Sequence, residues 1–231
     1  MTPVALITGA SRGLGRALAL DLHASGWRVV LDARGRTALD EVAELAPGIV
    51  AIPGDITDPQ HREALAAAVD VFGGLDLLVN NASELGPSPL PRLAEHPLDA
   101  LRRVYETNVV APLALVQLFL PALRSSGGVV LNVSSDAAVE AYGTWGGYGS
   151  SKAALDHLSA ILAAEEPGIR VFAVDPGDMR TEMHQQAFPG EDISDRPLPE
   201  TVVPAVRRLL EVRSASGRYR ASDWAVAEVA R

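Results

Sequence analysis

The sequence contains no cysteine, which excludes disulfide bonds and thiolate metal sites. It is also short of cationic side chains: 20 Lys and Arg face 29 Asp and Glu, a formal net charge of −9. That balance argues against non-specific nucleic-acid binding. No apolar run reaches the roughly 18 residues that a membrane span needs, and Met1-Thr2-Pro3 leads into a strand pattern without a signal peptide. We therefore expect a cytoplasmic protein with no nucleic-acid or membrane partner.

Metal-ligand spacing is also missing, because His23, His61, His96 and His157 stand far apart, so we expect no metal site. No repeat, linker or low-complexity tract divides the 231 residues. Hydrophobic residues make up 48% of the chain, enough for a substantial core. One domain spanning residues 1–231 is the natural expectation.

Strand and helix patterns alternate along the chain. The predicted strands are 4–8, 27–32, 49–53, 75–79, 129–133, 169–174 and a short one near 217–221. The predicted helices are 16–22, 38–45, 61–72, 109–123, 147–163 and 201–212. Such alternation favours an α/β fold with a parallel sheet covered by helices on both faces. The longest irregular stretch, 179–200, has the length of a lid or substrate loop.

A glycine-rich turn lies between the first strand and the first helix. It reads Gly9-Ala10-Ser11-Arg12-Gly13-Leu14-Gly15, with the spacing G-x-x-x-G-x-G. Glycine lets a pyrophosphate approach the main chain, and the helix N-terminus that follows offers free N–H groups and partial positive charge. The turn therefore predicts a dinucleotide-binding site, although a purely structural turn would have the same sequence.

A second pattern places a phenol and an ammonium four residues apart, at Tyr148 and Lys152. On a helix, residues i and i+4 share a face. A nearby cation favours the phenolate and lowers the pKa of a tyrosine, so that the phenol can exchange a proton with a carbonyl or alcohol oxygen. Taken alone, the same spacing also suits an ordinary surface helix. Tyr142 lies outside helical register with Lys152 and is not part of this pair.

Together and in this order, the two motifs resemble those of the short-chain dehydrogenase/reductase superfamily. Further segments fit the family pattern between about residues 3 and 182: Asp55-Ile56, Asn80-Asn81-Ala82-Ser83, Asn108, Ser134-Ser135, Pro176-Gly177 and Thr181. Ser83 departs from the pattern, since the family motif Asn-Asn-Ala-Gly has glycine there. The resemblance implies a single Rossmann-type, doubly wound parallel sheet and hydride transfer between a nicotinamide cofactor and a carbonyl or alcohol.

The resemblance implies a catalytic set of Asn108, Ser135, Tyr148 and Lys152. Tyr148 would give or take the proton, and Lys152 would lower the pKa of Tyr148 and hold the nicotinamide ribose. Ser135 would hydrogen-bond the substrate oxygen, as preorganised polarisation requires. Asn108 would hold a water that links Lys152 to solvent.

Cofactor choice depends on the end of the second strand. Asp32 has nearly the offset of an acid that binds the ribose diol of NAD. In the family register, however, Ala33 occupies the discriminating position, and Arg34 and Arg12 would flank a 2′-phosphate, which suits arginine. We expect NADP(H), with NAD(H) as the alternative. The implied cofactor contacts are Gly9, Ser11, Arg12, Gly13, Leu14, Gly15, Arg34, Asp55, Ile56, Asn81, Ala82, Tyr148, Lys152, Pro176, Gly177 and Thr181.

The function expected from these patterns is an NADPH-dependent carbonyl reductase acting on a small molecule. The alternatives are an NAD-dependent alcohol dehydrogenase and a cofactor-binding regulator without turnover. Residues expected near the substrate are Glu84, Trp145, Met179, Met183 and His184, with His184 more typical of a loop surface. The apolar helices 109–123 and 147–163 suggest a homodimer, as family members commonly form. A tetramer is a weaker possibility, because the chain lacks the usual glycine-rich tail.

Overall fold

The computed structural model describes residues 2–212 and 214–224, which form a seven-stranded parallel sheet in the order β3-β2-β1-β4-β5-β6-β7. Each predicted strand is present, with no end moved by more than two residues. The strands are β1 (Val4–Ile7), β2 (Arg28–Ala33), β3 (Val50–Pro53), β4 (Leu77–Asn80), β5 (Val129–Val133), β6 (Arg170–Asp175) and β7 (Gly217–Arg220).

Helices follow the strands and cover both faces of the sheet, which confirms the expected doubly wound α/β fold. They are α1 (Gly13–Ala24), α2 (Arg36–Leu45), α3 (Pro59–Asp70), α4 (Leu98–Tyr105), α5 (Ala111–Ser126), α6 (Gly146–Glu165), α7 (Glu182–Ala187) and α8 (Val203–Glu211). Asp58 caps α3 by accepting a hydrogen bond from the Gln60 N–H, and Pro59 occupies its first turn, as that sequence predicts.

Strand β1 shows how the core is divided into two layers. Successive side chains of a strand point to opposite faces, and all four residues of β1 are buried. Ala5 and Ile7 pack in the cluster that contains α1, α2 and α8 side chains. Val4 and Leu6 pack in the cluster that contains α3 and α5 side chains. A strand buried on both faces is a continuous apolar run, which is why its period was invisible in the sequence.

The chain leaves β1 for β2 on one side of the sheet and reaches β4 on the other. The order therefore reverses between β1 and β4. In open parallel sheets, ligands bind in the crevice outside the carboxyl ends of the strands at such a point. The glycine turn after β1 and Asn81, just after β4, meet there.

The structure corrects the prediction that one buried helix begins at residue 109. Helix α4 precedes it, and a π-helical turn at Glu106–Val110 joins α4 to α5. By length and composition alone, the combined helix Leu98–Ser126 could cross a membrane. Leu115, Phe119 and Leu123 of this helix are buried in the core of the protein.

The prediction that 179–200 is irregular is also wrong in part. Helix α7 lies inside it, and a 3₁₀ turn, Pro199–Thr201, closes it. Thr181 caps α7, since its Oγ1 accepts a hydrogen bond from the His184 N–H at 3.2 Å. The helix is only six residues long, too short to show a periodic pattern in the sequence.

Candidate active site

A cleft of about 1270 Å³ opens at the carboxyl ends of the strands. It brings together nearly all the residues that the sequence assigned to a site. Those lining it are Gly9, Ser11, Arg12, Gly13, Leu14, Arg34, Asp55, Ile56, Asn81, Ala82, Ser135, Tyr148, Lys152, Pro176, Gly177 and Thr181. Glu84, Trp145, Met179, Met183 and His184 line it too. Gly15 and Asn108 lie behind the wall of the cleft and do not line it.

The glycine turn fits the phosphates of a dinucleotide. Gly9 has φ +63°, and a Cβ there would lie 2.7 Å from the Ala82 Cα, so the position demands glycine. Gly13, with φ +57°, begins α1, and no side chain caps that helix. Its first N–H groups therefore remain free to bind an anion. Gly15 has no room for a side chain, because it packs against Asn81.

Asn81 holds the glycine turn in place. Its Nδ2 donates to the carbonyl oxygens of Thr8 at 2.8 Å and Gly9 at 3.1 Å. The Thr8 hydroxyl in turn accepts the backbone N–H groups of Asn81 and Ala82, each at 3.0 Å. These bonds join the end of β4 to the end of β1 at the floor of the cleft.

Asp32 is engaged inside the protein. Its side chain is almost fully buried. Oδ1 accepts the Gly9 N–H at 3.1 Å, and Oδ2 lies 2.6 Å from the His61 Nε2. The Asp32 carboxylate therefore links the glycine turn, through Oδ1, to the first turn of α3, through Oδ2.

Two exposed arginines line the cleft. Arg12, in the glycine turn, pairs with Glu182 at the start of α7. Arg34, just beyond β2, lies 3.8 Å from Glu84. About 60% of the Arg12 side chain and 69% of the Arg34 side chain are exposed, so both can reach a phosphate. Together with the glycine turn, these groups fit a phosphorylated dinucleotide.

Tyr148 and Lys152 lie on one face of α6, as the spacing predicts. Burial raises the pKa of Tyr148 to about 12, Asp136 and Asp175 act in the same direction, and hydrogen bonds with Ser83 and Ser135 lower it. Burial lowers the pKa of Lys152 to about 8, although the negative charge of Asp156 raises it.

The expectation that Lys152 lowers the pKa of Tyr148 stays a prediction, because Lys152 is not among the main causes that set that pKa here. The Lys152 Nζ donates to the Val133 carbonyl oxygen at 2.8 Å and lies 5.5 Å from the centre of the Tyr148 ring. Burial outweighs any effect of that ammonium on the phenol. At neutral pH the pair therefore consists of a protonated phenol and an ammonium.

Ser135 follows β5 and lines the cleft, as Tyr148 does. Its Oγ donates to the Asp136 Oδ1 at 2.9 Å, and the Asp136 Oδ2 accepts the Tyr142 hydroxyl at 3.0 Å. Tyr142 therefore lies beside the catalytic set, though not in it.

Arg218 is a residue that the sequence analysis missed. It lies on β7 and donates to the Ser135 carbonyl oxygen at 2.9 Å and to the Asp156 Oδ2 at 2.9 Å. It thereby fixes the backbone that carries the Ser135 hydroxyl. No local pattern could have found it, because 83 residues separate it from Ser135.

Asn108 lies in the π-helical turn and is buried. Its Oδ1 accepts the Glu84 N–H at 2.7 Å and the Ser83 hydroxyl at 3.2 Å. Its Nδ2 donates to the Glu84 carbonyl oxygen and the Ser151 hydroxyl, each at 2.9 Å. All the bonding capacity of this amide is in use. A water held by Asn108 would therefore have to bind its backbone carbonyl.

The part of the cleft beside Tyr148 has an apolar wall. Trp145 packs edge-on against Tyr148, with ring centres 5.8 Å apart, and lies 5.9 Å from Phe188. His184, expected on the surface, instead packs on Phe188 at 4.9 Å, and only 11% of its side chain is exposed. Other apolar residues in this cluster are Leu85, Leu90, Ala137, Met183 and Ala187.

The sequence model of the short chain dehydrogenase family matches residues 3–192. The chain is 37% identical over 186 residues to the 7alpha-hydroxysteroid dehydrogenase of Escherichia coli, covering 77% of this chain and 71% of that one. It is 35% identical over 188 residues to the L-xylulose reductase of Bos taurus, covering 80% and 75%.

A solved structure of a dehydrogenase is also similar to this chain. An alcohol dehydrogenase from the archaeon Thermococcus sibiricus, in complex with 5-hydroxy-NADP, superposes with a TM-score of 0.85 at 28% identity. The alignment covers 95% of this chain and 96% of that one.

Proposed function

Because the chain belongs to the short-chain dehydrogenase family, whose members oxidise alcohols or reduce carbonyls, we propose that it is an NADPH-dependent carbonyl reductase. The observation that carries the proposal is the meeting of Tyr148, Ser135 and Lys152 in the cleft that contains the glycine turn. A phenol whose pKa is raised by burial keeps its proton at neutral pH, and reduction of a carbonyl requires an acid in that state.

Each residue has a distinct role in this reaction. A bound nicotinamide would supply the hydride. Tyr148 donates its proton to the carbonyl oxygen, and Ser135 turns its hydroxyl from Asp136 to polarise the same oxygen. Lys152 holds the cofactor ribose and provides the positive charge that balances the phenolate. Asn108 fixes the loop at Ser83 and Glu84 and the start of α6 through its four hydrogen bonds.

The preference for NADP(H) is supported by the position of Asp32. An acid that selects NAD must offer both carboxylate oxygens to the ribose diol, whereas those of Asp32 are bonded to Gly9 and His61. Ala33 leaves room for a phosphate, and Arg12 and Arg34 supply charge. Glu182 and Glu84, their present partners, would be displaced by it.

Replacing Arg34 with Ala is expected to weaken NADPH binding by roughly ten- to a hundredfold, because a charge-assisted hydrogen bond contributes about 1.5–3 kcal/mol. NADH binding should change little, since NADH lacks the 2′-phosphate. Fluorescence titration with each cofactor measures both effects. Arg36→Ala removes the same charge two residues away, outside the cleft, and serves as the control. Equal losses for NADPH and NADH would contradict the proposed role.

The apolar wall favours a carbonyl attached to an apolar group over a sugar. The test is the absorbance of NADPH at 340 nm with a panel of alkyl and aryl ketones, aldehydes and ketoses, repeated with NADH. We expect turnover with NADPH and higher kcat/KM for the apolar ketones. Turnover only with NAD and alcohols would favour the alternative, an NAD-dependent alcohol dehydrogenase. Tight cofactor binding without turnover would favour a regulator.

We propose that residues 1–231 act as one dinucleotide-binding and catalytic domain in the cytoplasm, with 179–200 as its substrate loop. The support is that one continuous sheet carries both the glycine turn and the strand before Ser135. Helix α7, within that loop, contributes Met183 and His184 to the cleft.

A homodimer is the proposed assembly, with a tetramer as the weaker alternative. Helices α5 and α6 leave Leu113, Leu118 and Ile161 exposed although the opposite sides of these helices pack on the sheet. Light scattering at micromolar concentration should give twice the chain mass of 24.3 kDa. Leu118→Arg should reduce that value if the two copies meet there, and a wild-type mass of one chain would rule out the dimer.

A further inference from the structure

Arg218, on β7, joins three elements that carry or adjoin the candidate catalytic groups. Its guanidinium donates to the Ser135 carbonyl oxygen after β5 and to the Asp156 Oδ2 on α6, each at 2.9 Å. Its Nη2 also lies 3.5 Å from the Asp175 Oδ2 at the end of β6. Only 26% of the Arg218 side chain is exposed, and it does not line the cleft. Any effect of Arg218 on the reaction must therefore pass through these three partners.

Arg218 also balances the charge of two buried carboxylates. The Asp156 side chain is 14% exposed, and the Asp175 side chain is 6% exposed. A buried charge is costly unless it is paired, and removing one partner of such a pair leaves the other uncompensated. Because one guanidinium contacts both carboxylates, they lie close together and would repel each other without it. Arginine suits this position, since its planar fork directs N–H groups at several acceptors at once.

Each carboxylate is connected to a group that acts in the proposed reaction. Asp156 follows Lys152 by four residues on α6, and Lys152 follows Tyr148 by four, so the three share one face of the helix. The Asp175 Oδ1 accepts the Gly177 N–H at 3.0 Å, in the turn expected to hold the nicotinamide. One guanidinium therefore links the helix of the proposed acid to that turn.

We propose that Arg218 is a positioning residue that holds Ser135, Lys152 and the nicotinamide turn in place for hydride and proton transfer. The inference rests on the proposed function, in which Ser135 and Lys152 act on substrate and cofactor. Arg218 itself breaks no bond and gives no proton to the substrate. Without it, an unpaired Asp156 would draw the Lys152 ammonium along the helix, away from the Val133 carbonyl oxygen that it now contacts.

Arg218→Met removes the charge and the hydrogen bonds but keeps an unbranched side chain. The kcat for carbonyl reduction should fall by roughly ten- to a hundredfold, the usual effect of losing a hydrogen bond to a charged group. The KM for the carbonyl should change much less, because Arg218 lies outside the cleft. Arg218→Lys keeps the charge and should recover part of the kcat. Arg220→Met, which removes an exposed arginine of the same strand outside the cleft, is the matched control and should keep the wild-type kcat.

A second readout needs no turnover. Lys152 is the only lysine in the sequence, so protein that contains ¹³C-labelled lysine gives the NMR signals of that side chain alone. Their pH titration reports the charge state of Lys152. Loss of a nearby cation, with Asp156 left unpaired, favours the ammonium, so the midpoint should rise in Arg218→Met by about half a pH unit or more. It should stay near the wild-type value in Arg218→Lys and in Arg220→Met.

The proposal is overturned if Arg218→Met matches Arg220→Met in kcat or in the Lys152 midpoint, or if Arg218→Lys is no closer to wild type than Arg218→Met. Should Arg218→Met not fold, the double variant Arg218→Met/Asp156→Asn removes the cation together with one of its carboxylates. Its kcat should still lie at least about tenfold below the wild-type value, and a wild-type kcat would count against the proposal.

Failure of the proposed function gives a different result from failure of this inference. If no carbonyl of the panel is reduced, the proposed function fails, while the lysine titration still compares Arg218→Met with its control. If turnover is found but Arg218→Met behaves as Arg220→Met does, the proposed function stands and only the role of Arg218 is lost.

Discussion

Tyr148→Phe is expected to lower turnover by 10²–10⁴-fold, the usual contribution of a general acid. The substitution removes one oxygen and keeps the ring, so the edge-on contact with Trp145 at 5.8 Å is preserved. The fold should be unaffected. The measurement is the rate of NADPH oxidation with the best carbonyl from the panel, at saturating cofactor.

Measuring cofactor binding by Tyr148→Phe distinguishes loss of the chemical step from loss of the binding site. Fluorescence titration should give Tyr148→Phe a dissociation constant for NADPH within a few-fold of the wild-type value. Tyr105→Phe, which alters a tyrosine outside the cleft, is the control for the substitution itself. If Tyr148→Phe kept more than about a tenth of the rate, Tyr148 could not be the acid.

Lys152→Met is expected to change activity and stability in opposite directions. Turnover should fall by at least about a hundredfold, because the phenolate and the cofactor ribose both lose the ammonium. The cofactor-free protein, however, should become more stable at pH 7. Burial lowers the pKa of Lys152 to about 8 in the folded chain, against an ordinary value of 10.5.

The sign follows from proton binding. The unfolded chain holds the lysine proton more tightly, so at neutral pH the buried ammonium favours unfolding. This penalty diminishes as the pH rises from about 8 to 10.5, where the folded protein carries neutral Lys152. Each pH unit of pKa difference is worth about 1.4 kcal/mol. In Lys152→Met, loss of the hydrogen bond to the Val133 carbonyl oxygen offsets part of the stabilisation gained by removing the buried charge.

Urea unfolding measures the result. We expect Lys152→Met to raise the free energy of unfolding by on the order of 2 kcal/mol at pH 7. The gain should shrink at pH 9.5. A lower free energy of unfolding at pH 7 would mean that packing and the Val133 bond outweigh the buried charge.

Much of the fold could be predicted because buried parallel strands have sequences that are short apolar runs. All of β1 is buried and apolar, and the glycine turn after it marks both a strand end and a helix start. Helix α4 was missed although its two buried residues, Ala100 and Val104, stand four apart, as on one face of a helix. Helix α7 was missed because it is six residues long and has no buried residue, so its sequence carries little periodic signal.

Residues of the candidate site also differ in how far the sequence could predict them. Tyr148 and Lys152 could be found because their geometry is local, one turn of a helix apart. Arg218 could not, since its contact with Ser135 depends on β6 and β7 being neighbours in the sheet. That burial raises the pKa of Tyr148 could not be predicted, because charge proximity is visible in a spacing, whereas burial depends on the whole fold.

The engagement of Asp32 limits how the proposed cofactor preference could be redesigned. Turning this carboxylate toward a ribose would release both the Gly9 N–H and His61 and loosen the glycine turn. On the proposal that the chain uses NADP(H), a redesign toward NADH therefore adds a new carboxylate at Ala33 and leaves Asp32 where it is.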